Sequence, residues 1–211
     1  MTENDKYYLQ NAISEGFVSG KCLEIGSAVE WSSIIPLMKS QSFEIYGLDI
    51  CKGKYVDFII DLESRYEIIK NTIDKTFDTI ICFNTLEHVF NPVQVLENLA
   101  NLLNNNGTLL ISTPIMWPIH GYPSDFHRPL PNFYEEFAKR YNFEIISDYF
   151  QYLGFGPISN YRGEGKTGFP PPHHNGLKFL KGKLIHKIFN TFGREFLYPN
   201  HLAIGITLRK V

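Results

Sequence analysis

A chain of 211 residues with 44% hydrophobic and 20% charged residues has an ordinary globular composition and enough length to fill one sizeable core, which excludes disorder and leaves a second independent domain unexpected. Its formal net charge of −2 gives no general attraction to phosphate backbones, so no nucleic-acid partner is expected. No apolar run approaches the roughly 18 to 20 residues of a bilayer span, and Met1 to Lys6 is polar and acidic rather than signal-like, so residence in the cytoplasm is the expectation.

Short apolar runs alternate with helix-like stretches, the pattern produced when crossover helices cover both faces of a mostly parallel sheet. Lys21 to Gly26, Phe43 to Asp49 and Tyr55 to Ile60 read as the first three strands, and Phe77 to Phe83 and Thr108 to Ser112 as the next two. Between those last two, Val93, Val95, Leu96, Leu99, Leu102 and Leu103 fall at helical spacing within Pro92 to Leu103. Asn104-Asn105-Asn106-Gly107 reads as a stop and turn, because Asn and Gly tolerate a left-handed backbone. A helix over Asn132 to Tyr141, a strand from Phe143 to about Tyr149 and a final strand over His201 to Leu208 follow.

Before that final strand, Gly163, Gly165 and Gly168 precede Pro170-Pro171-Pro172-His173-His174, which no single regular element accommodates. Residues 151–200 are read as a lid inserted into one domain spanning 1–211, closing over an acceptor or forming a homodimer contact. Within it, Leu177 to Phe192 interleaves Lys178, Lys181, Lys183 and Lys187 with apolar residues. A solvated lysine face explains that pattern, with weak contact to a membrane surface as the lesser alternative. Cys22, Cys51 and Cys82 have no metal-ligand spacing and read as three structural thiols.

In an open α/β sheet a ligand binds beyond the carboxyl ends of the strands, where the connections diverge. Gly26, Asp49, Asp61 and Asn84 stand at those ends. Gly26 permits close approach of the backbone, and Asp49 can accept hydrogen bonds from both hydroxyls of a ribose. A nucleoside-containing ligand is the class this suggests.

Leu23-Glu24-Ile25-Gly26, Gly47-Leu48-Asp49-Ile50, Phe77 to Val89 with its Leu86-Glu87-His88-Val89, and Gly107 to Pro114 with its Leu110-Ile111-Ser112-Thr113-Pro114 resemble the ordered motifs of class I methyltransferases, over roughly residues 20–150. The resemblance implies a Rossmann-like three-layer α/β sandwich whose mostly parallel seven-stranded sheet has an antiparallel last strand. It implies S-adenosyl-L-methionine as cofactor. Glu24 and Gly26 would border its methionine part, Asp49 its ribose, Asp61 and Leu62 its adenine, and Asn84 the floor near the sulfonium. Ser27 and Ile50, beside Gly26 and Asp49, complete the expected cofactor set.

The first loop departs from that family, since Ala28 and Glu30 stand where glycines are usual. Glu30 brings a negative charge toward a carboxylate-bearing cofactor unless its side chain turns outward. A nicotinamide dinucleotide fits less well still, because its pyrophosphate turn needs glycine where Ala28 and Trp31 stand.

Methylation of an alcohol requires the acceptor to shed a proton, for which histidine is the usual base. His120-Gly121-Tyr122-Pro123-Ser124-Asp125-Phe126-His127-Arg128 resembles a loop found after strand five in methyltransferases of small molecules and glycans, so His120, Asp125 and His127 are the catalytic candidates. Glu87-His88 also has a metal reading, since some relatives bind a divalent ion with a further acidic residue three positions earlier. Asn84 occupies that position, an amide is a poorer ligand for a hard cation, and no metal is expected. The expected activity is O-methylation of a small metabolite or of a sugar in a surface-glycan precursor. The alternative is a methyltransferase-like binding or scaffold protein without catalysis.

Overall fold

Strands β1 (Lys21–Ile25) and β4 (Phe77–Phe83) are buried along most of their length, and they form the centre of the sheet. β2 (Glu44–Asp49) and the two-residue β3 (Phe58–Ile59) extend it on one side, all parallel. β5 (Leu103–Met116) is parallel to β4 on the other side. β8 (Leu202–Lys210) inserts antiparallel between β5 and β6 (Phe143–Gly154). The computed structural model describes residues 2–121, 124–154, 159–160, 184, 191 and 202–211. The inserted lid and its lysine-rich stretch lie almost wholly outside the described residues.

The order β3-β2-β1-β4-β5-β8-β6 is the mostly parallel seven-stranded arrangement with an antiparallel last strand, and β7 (Ser159–Asn160) adds an eighth strand at the edge, antiparallel to β6. Alternation along the strands sends side chains to two separate cores. Leu23, Ile80, Leu109 and Ile206 meet α3 (Tyr66–Thr72), α4 (Pro92–Leu102) and α5 (Pro131–Arg140) on one face. Cys22, Ile81 and Leu110 meet α1 (Glu3–Ser14) and α2 (Ile35–Ser40) on the other. The three layers follow from that split.

α1 begins with a capping box in which the Thr2 hydroxyl accepts the Asp5 N–H while the Asp5 carboxylate accepts the Thr2 N–H. The helix is held on the sheet by Tyr8, fully buried, whose ring lies over Gly205: a Cβ there would come within 3.0 Å of it. The Tyr8 hydroxyl donates to the Tyr149 carbonyl at 2.8 Å and pairs with Thr207 Oγ1 at 2.7 Å.

Three expectations need correction. The third strand is two residues rather than six, because Val56 N–H closes a turn onto Gly53 and Asp57 accepts the Gly47 N–H with its side chain. Asn104 to Gly107 is an irregularity inside β5 rather than a separate turn: Leu103 already pairs with Phe77, Asn106 takes φ 62°, and regular pairing resumes at Thr108. Cys22 and Cys82 are buried, which pushes both thiols up to about 12. Cys51 is instead exposed.

Candidate active site

A cavity of about 670 Å³ opens over the carboxyl ends of β1 to β4, within the range of small-molecule sites. Gly26 lines it at φ 81°, and a Cβ at that position would sit 2.9 Å from Thr85 Oγ1, so the loop's geometry requires glycine. Asp49 follows on β2. The Ala28 N–H donates to its Oδ2 at 2.9 Å and the Cys51 N–H to its Oδ1 at 3.0 Å, which fixes the carboxylate and leaves lone pairs on both oxygens for a ligand. Ile60, Asp61 and Leu62 form the wall beyond β3. Asp61 is itself turned by a bond from the Glu63 N–H to its Oδ1.

The two unusual loop residues are accommodated. Ala28 lies where Gly53 approaches so closely that a Cβ on Gly53 would be 2.7 Å from the Ala28 Cα. Glu30 faces outward into an ion pair with Lys54, and is not among the residues lining the cavity. At the cavity's inner wall, burial pushes the Glu24 carboxyl up to about 7, although the Ser33 hydroxyl and the Ile34 N–H both donate to it.

At the β4 end, Asn84 lines the cavity with a left-handed backbone, φ 49°. The short 3₁₀ turn Leu86–His88 follows. His88 also lines the cavity, and its Nδ1 lies 2.6 Å from the Ser124 carbonyl oxygen. A carbonyl only accepts, so Nδ1 carries the hydrogen and Nε2 keeps its lone pair. The segment that carries Ser124 is docked on the same turn, with Phe126 N–H donating to the Glu87 carbonyl at 2.7 Å. Ser124 and Phe126 are its contributions to the wall.

The expected catalytic residues hold this loop together rather than line the cavity. Asp125 binds both terminal nitrogens of Arg128, and that guanidinium holds its carboxyl well below the usual carboxylate range. Its second oxygen accepts the His120 N–H at 3.0 Å. His127 donates from Nε2 to the Phe90 carbonyl at 2.9 Å. His120 is exposed, with its ring edge against His88 at a centroid distance of 5.0 Å. Glu87, His88 and His120 each offer a ligand-type atom, all within 4.8 Å of one another. Both Glu87 carboxylate oxygens are buried without a hydrogen-bond partner, and burial pushes the group up to about 8.

A family model described as a methyltransferase domain matches residues 3–159. The chain belongs to this methyltransferase family. Among curated relatives, it is 32% identical over 89 residues to a ubiquinone biosynthesis O-methyltransferase of Glaesserella parasuis serovar 5 (strain SH0165), covering 42% of this chain and 36% of that one. It is 33% identical over 86 residues to the Rickettsia typhi (strain ATCC VR-144 / Wilmington) protein of the same name, covering 36% and 34%. The chain thus spans about a third of the length of these relatives. Its fold is similar to that of a SAM-dependent methyltransferase from Archaeoglobus fulgidus, with a TM-score of 0.56, 17% identity and coverage of 99% and 95%.

Of the expected cofactor residues, Glu24, Gly26, Asp49, Ile50, Asp61, Leu62 and Asn84 all line this cavity. Ser27 does not. It is fully buried, filling the space left by the missing side chain of Gly47, where a Cβ would sit 2.5 Å from its hydroxyl. Phe90 and His88 also line the cavity, and neither was expected there. No helix among the described residues is long and apolar enough to cross a membrane.

Proposed function

We propose that this protein binds S-adenosylmethionine in the cavity and methylates a hydroxyl of a small metabolite or of a sugar in a surface-glycan precursor. The observation that carries the cofactor reading is Asp49, a carboxylate anchored by two backbone N–H groups beside a glycine whose φ of 81° leaves room for a ligand. The residues present fit the group: Asp49 would take the ribose hydroxyls, Ile60 to Leu62 the base, and Glu24 and Gly26 the amino-acid end. When bound, the cofactor would supply a methyl group made electrophilic by its sulfonium sulfur.

His88 is the best-placed proton acceptor. It lines the cavity, its tautomer is set by the Ser124 carbonyl, and Nε2, 3.8 Å from Glu87 Oε1, is the nitrogen left without a hydrogen. Asp125 is unsuited to that task because Arg128 holds it ionised and bound. His120, against the His88 ring, supports its orientation. The non-catalytic alternative rested on Ala28 and Glu30. It loses that motive, since Ala28 helps to anchor Asp49 and Glu30 points away.

A second reading is favoured by the orphaned Glu87 oxygens: Glu87, His88 and His120 would hold a divalent cation that would lower the pKa of the acceptor hydroxyl. Calorimetric titration with S-adenosylhomocysteine tests the cofactor, and absence of binding at millimolar concentration would sink the proposal. Transfer of labelled methyl to hydroxylated small molecules or sugar precursors, with chelator and with manganese added, then decides between a histidine base and a cation. Activity unchanged by chelator favours His88 alone.

A further inference from the structure

The floor of the cavity at its β4 end is organised from outside the cavity. The Asn84 amide nitrogen donates at 2.9 Å to Oδ2 of Asp5, a fully buried residue in the first turn of α1. The same oxygen accepts the Thr2 N–H at 2.6 Å and its hydroxyl at 2.8 Å. Carboxylate oxygens only accept in that arrangement, so Asp5 dictates which end of the Asn84 amide it meets. One hydrogen of the nitrogen is committed to α1. The amide oxygen is the end that Asp5 does not engage, and Asn84 lines the cavity. Behind it, Asp5 Oδ1 is also buried without a hydrogen-bond partner.

The direction of a bound nucleoside places this pair at the reacting end. With the ribose on Asp49 at β2 and the base against Ile60 to Leu62 beyond β3, the rest of the cavity left for the 5′ substituent would be that over β1 and β4, where Gly26 and Asn84 stand. In S-adenosylmethionine that substituent carries the sulfur.

We infer that Asp5 is a positioning residue for the methyl acceptor: it holds Asn84 with the amide oxygen facing the reacting end, where that oxygen accepts the hydrogen of the attacking group and selects a neutral hydroxyl or amine over a carboxylate. The inference rests on the cofactor reading above and goes further, because it specifies the acceptor atom by the hydrogen it carries. A carboxylate acceptor would meet that amide oxygen, with the Asp5 carboxylate behind it, and could draw only on the one amide hydrogen that Asp5 does not take.

Three cofactor-site probes separate hydrogen donation from charge. S-adenosylhomocysteine is uncharged at the sulfur, S-adenosylmethionine is cationic there without a hydrogen to donate, and sinefungin bears an amine at the same place. Calorimetry should find sinefungin bound about tenfold more tightly than S-adenosylmethionine, since a hydrogen bond to a charged group is worth roughly one such decade. The ratio should fall to near one in Asp5→Leu and survive in Asp5→Asn, which keeps an accepting oxygen, while S-adenosylhomocysteine affinity shifts less than about threefold in either. Asn84→Gly tolerates the left-handed backbone and should also abolish the ratio, so the inference stays testable even if Asp5→Leu does not fold. Equal affinities of sinefungin and S-adenosylmethionine for the unaltered protein, or a ratio that persists in Asn84→Gly or in folded Asp5→Leu, overturn the inference alone. Absence of binding by all three probes overturns the cofactor reading and this inference together.

Discussion

The backbone N–H of Ala28 donates to Asp49 Oδ2 at 2.9 Å, so the loop after β1 and the end of β2 act as one unit. The loop does not need its usual glycines to reach Asp49. Gly53 lets the two segments close on each other, and Glu30 with Lys54 bridges them at the surface. Asp49→Ala should therefore weaken S-adenosylhomocysteine binding at least about tenfold, through loss of charged acceptors for the ribose and release of both anchored loops. Calorimetry measures it, and an unchanged affinity would remove Asp49 from the site.

Gly26→Ala combines two costs. A φ of 81° is disfavoured for any residue with a Cβ, and the new methyl would meet Thr85 Oγ1 at 2.9 Å. The backbone cost alone is roughly 1–2 kcal/mol. Urea unfolding should show at least that loss, and adding Thr85→Ala should recover only the part due to the contact. Complete recovery in the double variant would show that backbone conformation contributes nothing.

Glu24 gives a pH dependence of definite sign. Its folded value, about 7, lies above its ordinary 4.5. Its contribution to stability is thus complete below the ordinary value and is lost as pH rises through about 7. The shift corresponds to an effect on the order of 3 kcal/mol. Glu24→Gln should flatten the stability profile between those values. A cofactor ammonium near Glu24 would favour its ionised form, so binding at neutral pH should release protons, visible as a buffer-dependent binding enthalpy. Identical enthalpies in buffers of different ionisation heat would place the ammonium elsewhere.

Arg128→Met should destabilise the His120 to Arg128 loop. The Asp125 side chain is 1% exposed and would lose its paired cation, while Arg128 itself keeps 24% exposure, so a loss of about 2 kcal/mol is expected rather than the larger penalty of full burial. Because the Asp125 carboxyl is held below its ordinary range, that contribution is present above the unfolded value near 4 and disappears as pH falls toward acid. Denaturant titrations at neutral and acidic pH measure both, and a variant as stable as the parent at neutral pH would count against the ion pair as the loop's anchor.

The elements that could be read from sequence are those whose pattern is enforced by burial on both faces. β4 runs from Phe77 to Phe83 as expected because Ile80, Ile81 and Cys82 are all shielded. β3 could not be read correctly, because hydrogen bonds to the Gly53 carbonyl and from the Gly47 N–H turn Val56 and Asp57 away from strand pairing. α1 has a weakly amphipathic sequence with only Tyr8, Leu9 and Ala12 as buried apolar residues, yet the Thr2 to Asp5 capping box was a usable signal. The cavity wall at Gly26, Asp49, Asp61 and Asn84 was legible because each residue follows a strand. The hydrogen bonds that orient His88 and Asn84 were not. His88 owes its tautomer to Ser124, 36 positions away, and Asn84 owes its orientation to Asp5, 79 positions away, separations that local spacing does not encode.

The bond between Tyr8 and Thr207 joins residues 199 positions apart. α1 therefore has no finished surface to dock on until β8 lies between β5 and β6. Contacts of such sequence separation form late, because the chain must close its largest loop first. β1 pairs with β2 and β4, and β2 with β3, across far shorter separations. The strands beneath the cavity thus rely on nearer contacts than the helix that holds the Asn84 amide.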